Sequence, residues 1–183
     1  DNSLTLTRLD LPAGVLYLDQ QRQTVIGGTV GWVRGNWLLK SEVAHWQDVP
    51  LATADYGPWP LHDQSRAMGG LEYSGWDDIQ LGLDINVVHT ESHTADLAVG
   101  ATDVGFTTHL RYSAFNERVI QQVRILKLAN EEAYIGRWEL SLDWSDEWTF
   151  TGGLIVYKVP KEVSLFYPLR HHDSINVSAK YSF

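Results

Sequence analysis

The chain of 183 residues is long enough for one domain with a buried core, and 44% hydrophobic with 20% charged residues excludes a disordered polymer. It holds no cysteine, which excludes disulfide scaffolds, thiolate zinc sites and cysteine nucleophiles. A formal net charge of -9 argues against nucleic-acid backbone binding, and no apolar run approaches the roughly 20 residues of a membrane helix.

The dominant period is two. Ten strands are predicted: Leu4–Asp10, Gln23–Val33, Asn36–Trp46, Gln64–Gly75, Asp77–Glu91, Thr102–Phe115, Glu117–Asn130, Glu132–Ser145, Glu147–Lys158 and Asp173–Phe183. Leu81, Leu83, Ile85 and Val87 alternate with Gly82, Asp84 and Asn86. Val104, Phe106, Thr108 and Leu110 alternate with Gly105, Thr107 and His109. Trp138, Leu140 and Leu142 alternate with Arg137, Glu139, Ser141 and Asp143. Only Glu117–Asn130 carries a partial helical stripe, at Ile120, Val123 and Leu126, and its strand neighbours favour a strand there too. The lengths cluster near the roughly 9–11 residues that a tilted strand needs to cross a bilayer.

Connections alternate in kind. Tight turns of Gly, Asn, Asp and Ser stand at Arg34-Gly35-Asn36, Ser74-Gly75-Trp76-Asp77, Phe115-Asn116-Glu117 and Ser145-Asp146-Glu147. Longer links are expected at Leu11–Arg22, Gln47–Asp63, Ser92–Ala101 and Val159–His172, with one short member at Asn130-Glu131-Glu132. Short turns at one end and long loops at the other characterise outer-membrane barrels. No repeat or linker divides the chain, so a single domain over 1–183 is expected.

Three features turn the apolar face outward. Aromatic residues gather near strand ends, at Trp32, Trp37, Trp46, Tyr73, Trp76, Trp144, Trp148, Tyr157 and Tyr181, as in an interfacial girdle. The polar face carries whole charges. The chain ends on an aromatic-tipped strand. The expected architecture is therefore all-β, an antiparallel transmembrane β-barrel or the C-terminal part of a larger one, with about ten strands in this chain. Its lumen-lining candidates are Lys40, Glu42, Glu72, Asp84, Asn86, His109, Arg111, Arg137, Glu139, Asp143 and Lys180, and Arg124 can join them. The competing expectation is a soluble sheet with the same alternation, its apolar face buried and its charges in water.

The terminal segment resembles the assembly signal of Gram-negative outer-membrane barrels, with Asn176, Ser178, Tyr181 and Phe183 at its key places and Ser178 where glycine is usual. Thr24–Trp46, Gly70–His89, His109–Glu117, Leu142–Tyr157 and the final Lys-Tyr-Ser-Phe resemble a proteobacterial outer-membrane family, domain of unknown function thirteen-oh-two. These are hairpin patterns and not catalytic motifs. The resemblance implies that the chain is the C-terminal part of a longer barrel. It also implies work with periplasmic and inner-membrane transport partners in moving lipid-like molecules.

The start Asp1-Asn2-Ser3 shows no signal peptide, as in a mature or excised chain. The expected function is a passage or export component for small or apolar molecules in the Gram-negative outer membrane. Expected partners are membrane lipids, lipopolysaccharide and the outer-membrane assembly machinery, without nucleic acid. The alternatives are a structural or adhesive barrel acting through its loops, a rim hydrolase, and a soluble lipocalin-like binder. No catalytic residue, cofactor or metal is assigned. His89, Glu91 and His93 have ligand types at i, i+2 and i+4, but a solvated strand end explains them more simply, as a solvated loop does His171-His172. Asp84 or Asp96 with His89, and Ser92 with His93, supply hydrolase residue types without a nucleophile motif. Asp48, Asp55, Asp63, Asp96, Asp103, Glu131, Glu132 and Glu162 fall in or near the expected outer loops, where divalent cations can bridge them to lipopolysaccharide phosphates.

Overall fold

A computed structural model describes residues 2–10, 15–54, 58–162 and 166–183, with side chains from Arg22 onward. Among them are eleven strands, no α-helix and one 3-10 turn at Tyr167–Leu169. They are β1 Asn2–Asp10, β2 Val15–Arg22, β3 Thr24–Arg34, β4 Trp37–Pro50, β5 Leu61–Trp76, β6 Ile79–Thr90, β7 Thr102–Ala114, β8 Val119–Leu128, β9 Ala133–Asp143, β10 Trp148–Lys158 and β11 Ser174–Tyr181. β3 to β11 form one nine-stranded antiparallel sheet in sequence order, and β1 and β2 form a separate pair. The sheet is open: β3 and β11 are its two edges.

The expected strands appear, including β8 over the ambiguous segment. The expected link Leu11–Arg22 instead contains β2, paired antiparallel with β1 from Asn2↔Arg22 to Asp10↔Val15. Its sequence runs apolar then polar (VLYL, then DQQR) and shows no alternation. The link Gln47–Asp63 is also shorter than expected, because β4 continues to Pro50 and β5 starts at Leu61. Asp55 lies outside the described residues.

The chain falls into two compact units. The first comprises Asp1–Val30, Ser41–Met68 and Asn86–Val104. Here the two longer links bond to each other: Thr53 bridges Leu97, the Ala54 N–H donates to the Asp96 carbonyl, and the Ala98 N–H to the Ala52 carbonyl. Leu51 and Leu97 are buried at this junction.

The second unit comprises Gly31–Lys40, Gly69–Ile85 and Gly105–Phe183. Its register sorts side chains by alternate position. Leu110, Val123, Trp138, Leu154 and Ile175 form one continuous row across β7 to β11. On the other face Arg111, Gln122, Glu139, Gly153 and Asn176 form another. The apolar rows are left open, with Leu81 at 41%, Leu83 at 45% and Val177 at 81% exposure. On the polar face the side chains of Asp84 and Glu72 are 22% and 25% exposed and that of Arg137 is 57% exposed. This sheet has no dry apolar interior; the buried hydrophobic residues among those described are Leu51, Leu97, Ala133 and Val159.

The tight turns have visible causes. Gly35 takes φ +57 between β3 and β4, a conformation that costs glycine nothing. At β9–β10 the Ser145 hydroxyl accepts the N–H groups of Glu147 and Trp148 at 3.3 and 3.2 Å. Phe115, Asn116 and Glu117 are all left-handed, an unusual run without glycine.

Candidate functional site: a charged polar face

The polar face of the second unit collects charge from four consecutive strands. Lys40 on β4 lies 3.7 Å from a Glu72 carboxylate oxygen on β5 and 3.6 Å from Asp84 on β6. His109 on β7 approaches the same two acids, Nε2 at 3.8 Å from Glu72 and Nδ1 at 3.7 Å from Asp84. Two carboxylates thus share one ammonium and one imidazole. Two glycines make this packing feasible. A Cβ on Gly82 would run into the His109 ring, and one on Gly70 into the Asp84 carboxylate and the Lys40 stem. The backbone positions that lack side chains are where the charged ones lie down.

Farther along the face, Arg137 pairs with Glu139 at 2.6 Å and Arg111 with Glu117 at 3.4 Å. The Thr149 hydroxyl donates to Asp143 at 2.7 Å, and Lys180 is the cross-strand neighbour of Thr149. The expected lumen residues Lys40, Glu72, Asp84 and His109 therefore form one cluster, and Arg111, Arg137, Glu139, Asp143 and Lys180 stand on the same face. Glu42 and Asn86 are exposed positions of the first unit.

The terminal-strand residues sit at defined register positions. Asn176 lies against Gly153, Ser178 opposite Thr151, and Tyr181 opposite Trp148. Tyr181 packs on Trp148 at 5.0 Å and on Phe183 at 6.4 Å between centroids, while Phe150 stacks on Trp148 at 5.9 Å. Trp37, Tyr73 and Trp76 make a second aromatic group, with centroids 4.5 and 4.7 Å apart. Trp46 and Tyr157 are among the expected girdle residues that fall outside these two groups. Trp46 lies under the Arg66 guanidinium at 4.9 Å, and Tyr157 falls in register with Ile135 on the charged face.

Within the first unit, His89, Glu91 and His93 take separate partners. The His89 ring meets the Thr102 hydroxyl at 2.9 Å, and the His93 ring the Val99 carbonyl at 2.9 Å. Glu91 accepts from the Ser65 hydroxyl at 3.3 Å. Ser65 also contacts His45 Nδ1 at 3.2 Å, and that same nitrogen lies 3.7 Å from Glu91. A serine, a histidine and a glutamate thus converge without any sequence signal, because their meeting depends on strand register. The carboxylate holds the serine and not the far ring nitrogen, so it does not orient the imidazole as a relay would. An open cleft of about 500 Å3, lined by Ile26, Val43, Ala67 and Val87, adjoins them.

Of the acids expected in or near the outer loops, Asp48, Asp63 and Asp103 lie within β4, β5 and β7 near their ends, and several of these acids organise their own surroundings. Asp63 accepts the Asp48 N–H at 3.0 Å, Asp103 the Gly100 N–H at 3.2 Å, and Glu132 pairs with Lys161 at 3.1 Å. His171 and His172 are exposed. No group of three or more ligating side chains is placed to hold a metal ion among the described residues.

Compared with protein-family models, curated proteins and solved structures, the chain matches none.

Proposed function

We propose that this chain is part of a Gram-negative outer-membrane β-barrel that gives passage to small, apolar or amphiphilic molecules. The observation that carries the reading is the inversion of the sheet's two faces. Leucines and valines are left open while carboxylates, a lysine and a histidine pair with one another. A soluble sandwich buries the first set and wets the second; a lipid-facing sheet does the reverse. The aromatic groups around Trp148 and Trp37 suit a headgroup level.

In hydrocarbon an open sheet edge is untenable, so the proposal includes closure of β3 and β11 through strands beyond the nine. The resemblance to the thirteen-oh-two family agrees with a longer barrel. It also extends the proposal to periplasmic and inner-membrane partners and to the outer-membrane assembly machinery. Lipopolysaccharide and membrane lipids are the partners of the apolar face and the acidic loops.

Gel migration of protein taken from outer-membrane fractions tests this. A folded barrel migrates differently before and after boiling, and it refolds only with detergent or lipid. A chain that refolds to the same state in buffer alone overturns the reading. Liposome swelling then separates passage from a structural or adhesive barrel, which would give no solute flux.

A further inference from the structure

We propose that the charged face of β7 to β9 holds a binding site for a small oxyanion, a carboxylate or phosphate group gripped by Arg124 and Arg137. The proposal stands on this face alone and does not depend on membrane insertion.

The register carries it. His109 on β7 is the cross-strand partner of Arg124 on β8, and Arg124 is the partner of Arg137 on β9. Three basic side chains thus stand side by side across three strands. Directly opposed residues bring their Cβ atoms within about 4.5–5.5 Å, and like charges placed so repel. The neighbouring rows avoid this. Arg111, Gln122 and Glu139 mix signs in one, and Thr107, Leu126 and Ile135 are neutral in the other.

Both arginines open onto one cleft of about 360 Å3, shared with Glu72, His109, Arg111 and Glu139. Its lining carries three arginines and two glutamates. The surrounding pairs show which of these cations is left over. Glu139 holds Arg137, Glu117 holds Arg111, and Glu72 serves Lys40 and His109. Arg124 makes no ion pair among the described residues. A monoanion seated between the two guanidinium groups would relieve the repulsion. Each planar fork can donate two parallel hydrogen bonds to one oxyanion. The cleft also leaves room for a short chain of atoms behind the anionic group.

Calorimetric titration of the purified full chain in nonionic detergent at low ionic strength tests the site, with inorganic phosphate in one arm and butyrate in the other. Saturable binding in either arm is expected, and the arm that binds identifies a phosphate-type or a carboxylate-type ligand. Arg124→Gln and Arg137→Gln should each weaken binding about tenfold or more. Arg124→Lys keeps the charge but loses the fork, and should fall between. Lys127→Gln removes a cation from the same strand on the opposite face and should bind as the native chain does. No saturable binding of either anion overturns the proposal. So does native affinity in Arg124→Gln and Arg137→Gln, and so does an equal loss in Lys127→Gln. If a glutamine variant does not fold, the Arg124→Lys titration decides alone, and native affinity there also overturns the proposal.

Discussion

At the scale of single residues, the charged cluster depends on what is missing beside it. Gly82 and Gly70 leave the space that the His109 ring and the Asp84 and Lys40 side chains occupy. Gly82→Ala should therefore displace His109 and cost about 1–3 kcal/mol through overpacking, read from denaturant titrations of the folded protein. Thr53 supplies the opposite case. Its hydroxyl oxygen is buried without a hydrogen-bond partner, at the junction of the two longer links of the first unit. Replacing it with an apolar group of the same shape removes the desolvation cost. Thr53→Val should stabilise the chain by about 1 kcal/mol, seen as a raised unfolding midpoint.

At the scale of elements, alternation made most strands legible because a half-exposed strand must alternate. β2 escaped because VLYLDQQR has an apolar half and a polar half, with no face to read. Register escaped altogether. Nothing near Arg124 in sequence announces Arg137, and the convergence of His45, Ser65 and Glu91 depends on strands whose partners lie 20 to 26 positions away. The charged residues of the candidate face were legible as a class, from the polar half of each alternation. Their pairing was not, because ion pairs depend on which rows face each other. Turn chemistry was partly legible. The Ser145 turn was expected from its composition, and one hydroxyl caps two N–H groups there. Ser145→Ala should cost about 1 kcal/mol and loosen the β9–β10 hairpin, visible as faster amide exchange at Glu147 and Trp148.

For the whole molecule, the account depends on which solvent each face of the sheet meets. Leu154 stands between Trp138 and Ile175 in the apolar row. If that row meets lipid, Leu154→Arg should cost about 2–4 kcal/mol near the bilayer midplane, measured by denaturant titration of folding into liposomes. On a water-facing surface the same change should fall within about 0.5 kcal/mol.

The most direct measurement uses the absence of native cysteine. Single cysteines at Leu81, Leu140 and Val177, and at Asp84, Glu139 and Lys180, can each carry a spin label in liposome-reconstituted protein. Collision with dissolved oxygen, which concentrates in hydrocarbon, should dominate at the first three positions. Collision with a water-soluble nickel chelate should dominate at the other three. Chelate access at Leu81, Leu140 and Val177 equal to that at Asp84 would contradict the account, because both faces of the sheet would then meet water.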